Sequence, residues 1–332
     1  MNIKSFPFLL FLIFCSLPVV LAQMDKNCKI VDAQHYSHVF GEIRNYRIFL
    51  PPGYHKNSDK KYPVIYFLHG WSQRYFGSGS DRYSEYDQGE DNHGDNIEKF
   101  VSQHDVIVVK SDGYNRSENE DYYVRPYNIG PVETNRQFPI YYEELIHHID
   151  EEYQTLPDRG HRAISGLSMG GFMSYVIAAK YPHLFSAAGS FCGSPEFVIG
   201  PKDMPVEYRH LDFYHNYDGM NVRLHYGDRD FIQDYHEDLN RVWLHTMENY
   251  SCKIFPGDEH TTSGMGEMLS FLLSTFQDPP VKPSRWTHTD IYPDFNVWNY
   301  QVTSDRHRPG FTTLENVDTK GFKISVQEYL PD

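Results

Sequence analysis

The sequence predicts an α/β fold: a mostly parallel central sheet with helices on both faces, followed by a short C-terminal β-rich extension. Three observations carry that expectation. From Cys28 to about Phe276, short apolar runs alternate with helical patterns, as strands joined by crossover helices do. A helical stripe lies between two of those runs, with Leu145, Ile149 and Tyr153 at i, i+4 and i+8. Past Pro279-Pro280 the hydrophobic period changes to two, which marks antiparallel strands.

Taken in order, the first 22 residues combine Lys4 with an apolar stretch from Phe6 to Leu21 and end in Val20-Leu21-Ala22. That is the pattern of a cleaved export signal, and the stretch is shorter than the ~20 residues a membrane span needs. Cys15 does not make a lipoprotein, because Phe14 stands where a small residue is required. The expected mature product is periplasmic or secreted, with no stable membrane anchor. Its loss of Lys4 moves the net charge from −15 to −16. So acidic a chain lacks the basic surface that nucleic acid or anionic lipid demands. Three cysteines then remain, Cys28, Cys192 and Cys252, an odd number that cannot complete a disulfide framework.

Pro63–Leu68, Val106–Val109, Arg162–Ser165, Phe185–Phe191, Val222–Tyr226 and Ser251–Phe255 read as buried strands, and Tyr142–Tyr153 as a helix. Cys192 and Cys252 fall at opposite ends of strands, with the strand through Leu224 between them, too far apart for a bridge. In the tail, Trp298, Tyr300 and Val302 alternate with polar residues, as do Phe322, Ile324 and Val326, with a turn near Asp318–Gly321. About three strands are too few for an independent sandwich, so the tail either packs on the body or opens an incomplete second domain. The expected division is therefore 1–22 signal peptide, 23–278 catalytic domain and 279–332 extension.

The chemistry centres on Ser165-Gly166-Leu167-Ser168-Met169-Gly170-Gly171, which follows a strand and opens a helix. Glycines two before and two after the serine allow the sharp turn that lifts its hydroxyl above the sheet, the nucleophile elbow of α/β-hydrolases. A serine hydroxyl needs a base, and the base an acid to orient it. In this fold they follow in the order acid, then histidine. Gly227-Asp228-Arg229-Asp230-Phe231 and Gly257-Asp258-Glu259-His260 each end a strand on the same sheet edge as Ser168. His260 is the expected base. Asp230 is favoured over Asp228 as the acid, with Phe231 packing inward to fix the loop. The oxyanion hole is expected from backbone N–H groups of Met169 and, beyond Phe67-Leu68-His69-Gly70, of Trp71.

Other clusters carry less. His147-His148 reads as a solvated pair on a helix face, without further spaced metal ligands. Asp81, Glu85, Asp87, Glu90, Asp91 and Asp95 lack the spacing of a calcium loop and read as a solvated loop rimming the site. Trp71, Tyr75, Phe76, Tyr83 and Tyr86 form a candidate aromatic wall beside it. The chemistry needs no cofactor and no metal.

Leu50-Pro51-Pro52-Gly53-Tyr54, Tyr62 to Gly70 and Arg162 to Gly171 together resemble the esterase D-like group. That group includes feruloyl esterases, acetylxylan esterases, S-formylglutathione hydrolases and related periplasmic esterases. The likeness runs over roughly residues 29–278. It implies an α/β-hydrolase fold and a serine carboxylic ester hydrolase acting through an acyl-enzyme on small-molecule or carbohydrate esters, acyl or feruloyl. It places the family's G-x-x-D acid on Asp230 and its glycine-then-histidine motif on His260. The chain departs from the group after that histidine, where Thr261-Thr262-Ser263 replaces aromatic residues. Two other readings are an acyltransferase on the same fold and an inactive, carbohydrate-binding or scaffolding relative.

Overall fold

The computed structural model describes residues 27–71, 73–75, 96–114, 125–129, 137–201 and 203–328. Residues 1–22, expected to be an export signal, the acidic stretch 81–95 and Phe76, Tyr83 and Tyr86 lie outside the described residues.

Among the described residues ten strands precede the tail: β1 (Lys29–Ser37), β2 (Glu42–Leu50), β3 (Val64–Leu68), β4 (Ile107–Ser111), β5 (Arg162–Gly166), β6 (Ala187–Phe191), β7 (Glu196–Ile199), β8 (Val206–Arg209), β9 (Asn221–Gly227) and β10 (Tyr250–Phe255). Eight of them form one sheet in the order β1-β2-β4-β3-β5-β6-β9-β10. Every neighbouring pair from β4 to β10 is parallel, while β1 and β2 add an antiparallel hairpin at one edge. β7 and β8 pair only with each other.

Alternation along each buried strand feeds two cores. Val64, Tyr66 and Leu68 of β3 face one of them and Ile65 and Phe67 the other. The first core is covered by α2 (Phe138–Glu152), α3 (Met169–Lys180) and α4 (Gln233–Thr246), the second by α1 (Ile97–Val101) and α5 (Met265–Thr275). This is the three-layer arrangement expected from the sequence, and it brings the carboxyl ends of β3, β5, β6, β9 and β10 to one edge. α3 is buried on nearly all sides, as a helix without a polar face must be. α2 starts four residues earlier than its apolar stripe indicated, because Pro139 sits in the first turn, where no N–H is missed. Tyr153 lies just past its end with extended backbone.

Among its described residues the tail holds five strands, where about three were expected: β11 (Trp286–Asp290), β12 (Asp294–Val297), β13 (Tyr300–Thr303), β14 (Gly310–Asp318) and β15 (Gly321–Glu328). Trp298 is not on a strand. It sits at φ +53° between β12 and β13, so an alternating pattern runs across a hairpin turn. The Asp318–Gly321 turn forms as expected, its carboxylate accepting from the N–H groups of Lys320 and Gly321. The strands enclose a small core of Trp286, Phe295, Val297, Val302, Leu314 and Val317.

They also pack on the body. Lys180 of α3 pairs with Asp290 at 2.8 Å, both buried. Asn216 exchanges two hydrogen bonds with the backbone of Thr289, at 2.8 and 2.9 Å. Among the described residues no helix is long and apolar enough to cross a membrane. Cys192 and Cys252 are not bridged to each other, and Cys252 lies opposite Leu224 on β9, with β9 between it and β6.

Candidate active site

Ser168 links β5 to α3 at φ +58° and ψ −118°, a conformation that non-glycine residues rarely adopt. Backbone bonds hold the strain: Leu167 N–H donates to Leu68 O at 3.0 Å, Ser168 N–H to Phe191 O at 2.8 Å and Gly170 N–H to Leu167 O at 2.8 Å. The flanking glycines are needed for space. A Cβ on Gly166 would come within 2.5 Å of the Gly170 carbonyl, and one on Gly170 within 2.5 Å of His69 O. Met169 opens α3, where backbone N–H groups have no intrahelical acceptor.

At the end of β3, Gly70 N–H donates to Gln73 Oε1 at 2.8 Å, closing a turn around Trp71. His69 is buried beneath it. Its Nδ1–H donates to Gly70 O at 2.8 Å and its Nε2 accepts from Gly113 N–H at 2.9 Å. Burial pushes the His69 imidazolium down, although Asp112, 3.6 Å away, opposes this. Burial also acts to raise Asp112, but the nearby His69 ring and the paired hydrogen bonds from the Arg74 guanidinium outweigh it and hold the carboxyl down at about 2. No local pattern marks this brace, because its members come from two separate segments, 69–74 and 112–113. Of the expected aromatic wall, Trp71 is 59% exposed while Tyr75 is buried.

The loops after β9 and β10 are laced together. Arg229 N–H donates to Asp258 O at 2.9 Å, and Gly257 N–H to the exposed Asp228 carboxylate at 2.6 Å. Asp230, two residues on, is 5% exposed and meets the ring of His260. His260 Nδ1–H donates to Asp230 at 2.8 and 3.0 Å, and Ile232 N–H donates to Oδ1 at 2.9 Å. His236 Nε2 lies 3.3 Å from Oδ2, and the Cys192 thiol, which donates to Thr261 O at 3.3 Å, lies beside this carboxylate. Burial would raise the Asp230 carboxyl, yet these donors, His236 and His260 first among them, hold it well below the usual carboxylate range. Burial and the Asp230 charge push the Cys192 thiol up, so it remains a donor.

Nε2 of His260 is buried without a hydrogen-bond partner. No bond joins it to Ser168 among the described residues, and such contacts often close only with substrate bound. Phe231 does not pack inward. It is 79% exposed, with its ring 4.5 Å from that of His260, and the loop is fixed instead by Asp230 itself.

Cys192, Asp230 and His236 bring ligand-type atoms within 4.8 Å of one another, a grouping in which His236 meets Asp230 at 3.3 Å and the thiol donates to Thr261 O. Cys192 and His236 were both missed in the sequence, and no local signal marks either. Away from the site, His147 is exposed as expected, but His148 is half-buried. It stacks on His35 at 4.5 Å and bonds Tyr46 OH at 3.0 Å, because strand β1 covers that helix face.

A large parallel sheet with a strained serine elbow at its carboxyl edge defines an α/β-hydrolase. Residues 37–254 match the family model described as "Putative esterase", and the chain belongs to that family. It is 28% identical over 195 residues to an endo-1,4-beta-xylanase/feruloyl esterase of Xylanibacter ruminicola, covering 56% of this chain and 25% of the relative. An esterase of Mycobacterium tuberculosis is 28% identical over 150 residues, covering 44% of this chain and 28% of its own length. The chain thus spans about a quarter of these curated relatives. Among solved structures, a ferulic acid esterase superposes with TM-score 0.58 at 20% identity, covering 75% of this chain and 98% of its own. A fluorophosphonate-binding serine hydrolase of Staphylococcus aureus superposes with TM-score 0.57 at 15% identity, covering 76% and 99%. At these identities the structural matches show the fold alone.

Proposed function

We propose that the chain is a serine carboxylic ester hydrolase working through an acyl-enzyme, with Ser168 as nucleophile, His260 as general base and Asp230 as the acid that orients it. The observation that carries this is the placement of the strained Ser168 elbow on the same sheet edge as the buried Asp230–His260 pair. Asp230 accepts the Nδ1–H of His260 and so selects the tautomer whose Nε2 can take the serine proton. Ser168 Oγ attacks the ester carbonyl as its proton passes to Nε2. The N–H groups of Met169 and Trp71 receive the charge that develops on the carbonyl oxygen. His260 returns the proton to the departing alcohol, and water then repeats the sequence on the acyl-serine.

The substrates are acyl or feruloyl esters of carbohydrates or similar alcohols. In support, relatives named as feruloyl esterases share the family and the fold, and the exposed rings of Phe231 and Trp71 offer apolar surface at the site. The N-terminal segment directs the chain out of the cytoplasm. The test is hydrolysis of p-nitrophenyl acyl esters of increasing chain length, beside feruloylated and acetylated xylan oligosaccharides. Turnover that disappears in Ser168→Ala is expected. Turnover that persists in that variant overturns the assignment.

A further inference from the structure

His236 lies in the first turn of α4, six residues beyond Asp230, and its side chain is wholly buried. Its Nε2 is 3.3 Å from Asp230 Oδ2, while its Nδ1 has no hydrogen-bond partner. The ring packs on that of Tyr226 at 5.1 Å between centroids. As a packing element alone, a histidine here is a poor choice, because a buried ring nitrogen without a partner costs free energy that an apolar side chain would not. Its one polar contact is with the carboxylate that carries His260. Oδ2 thus lies between two imidazoles, His260 Nδ1 at 2.8 Å and His236 Nε2 at 3.3 Å. The titratable groups packed against this pair are Cys192 after β6, Tyr226 on β9 and His260 after β10.

We propose that His236 is a positioning residue for the reaction: its Nε2–H donates to Asp230 and fixes the carboxylate that selects the tautomer of His260. The inference rests on the Ser168–His260–Asp230 reading. A carboxylate this buried can turn about its last torsion unless each oxygen is held. Ile232 N–H holds Oδ1, and His260 alone bridges both oxygens. His236 supplies the second bond to Oδ2, so the carboxylate keeps its orientation even when His260 swings to pass a proton. His236 touches no reacting atom.

The proposal is tested first on the unaltered protein, by nitrogen-15 NMR of histidine-labelled material, with the His236 signals identified by their loss in His236→Gln. A proton on Nε2 of His236 is expected, whereas the Nδ1–H tautomer, which turns a lone pair towards the carboxylate, overturns the proposal. In kinetics, His236→Phe is expected to lower kcat about tenfold, equivalent to about 1.4 kcal/mol, with KM changed less than about twofold. His236→Gln, whose amide N–H reaches nearly the same point, recovers most of that loss. A folded His236→Phe protein with undiminished kcat, or equal losses in the Phe and Gln variants, overturns the proposal. If His236→Phe does not fold, the tautomer measurement decides. Ser168→Ala and His260→Ala serve as separate controls. Hydrolysis that survives in them refutes the triad reading itself, whatever His236 does.

Discussion

Replacing Asp230 and Asp228 one at a time by asparagine separates catalysis from loop structure. In Asp230→Asn the carbonyl oxygen is pinned on the Oδ1 side, because Ile232 N–H donates there at 2.9 Å and a backbone amide cannot reverse its role. The new NH2 group then occupies the Oδ2 position, facing His260 Nδ1 at 2.8 Å and His236 Nε2 at 3.3 Å. Two donors would meet a donor. The simplest relief is a switch of His260 to the Nε2–H tautomer, which leaves no lone pair on Nε2 for the serine proton. The expected loss is up to about 10⁴ in kcat, or roughly 5.4 kcal/mol at 1.36 kcal/mol per decade. Lost charge-assisted bonds cost a further 1–3 kcal/mol or so of stability. Asp228 is exposed and accepts one bond, from Gly257 N–H at 2.6 Å, which an asparagine oxygen can still accept. Its substitution should change stability by no more than about 0.5 kcal/mol and leave turnover within about twofold. Steady-state hydrolysis of p-nitrophenyl acetate, with melting temperatures measured alongside, reads both variants. A crippled Asp228→Asn, or an Asp230→Asn within tenfold of the parent, would refute the reasoning.

Three further outcomes follow from the same geometry. Because His260 accepts the serine proton in this account, His260→Ala is expected to lower kcat by about 10⁴ or more; turnover within tenfold of the parent contradicts a histidine base. The Asp112 carboxyl is held at about 2, below its unfolded value of about 3.9, so its stabilisation, on the order of 2 kcal/mol, is whole above about pH 5 and fades as pH falls towards 2. Urea unfolding of Asp112→Asn against the parent should show that gap at pH 7 and about half of it at pH 3, and an equal gap at both would remove the charge from the explanation. Gly170→Ala places a Cβ against the backbone carbonyls of Leu68 and His69, which cannot rotate away. Soluble protein with parental melting temperature and activity would show that the elbow is not as tight as described.

The parallel body was readable in the sequence because its strands are buried on both faces and so appear as continuous apolar runs, PVIYFL before Gly70 being the clearest. β1 and β2 were not read as strands. β1 is half-exposed along most of its length, and its polar residues hide the period. In the tail, alternation carried through Trp298 as though the chain were extended, since a side-chain pattern does not register a positive φ. Ser168, Asp230 and His260 were singled out as candidates because each follows a strand on one edge, a placement set by local sequence. Their supports were not. His236 and Cys192 come to Asp230, and Asp112 comes to His69 and Arg74, only once separate segments are folded together. Phe231 shows the limit from the other side: its hydrophobicity argued for an inward ring, but it lies exposed over His260.

The central claim is that Ser168 is an activated nucleophile, and the most direct measurement is labelling by a fluorophosphonate probe followed by peptide mapping. Only a serine whose proton is taken by a neighbouring base reacts readily with such a probe. The account predicts one adduct, on the peptide carrying Ser168, that disappears in Ser168→Ala and is strongly reduced in His260→Ala. An adduct on another serine, or labelling of Ser168→Ala equal to that of the parent, would contradict it.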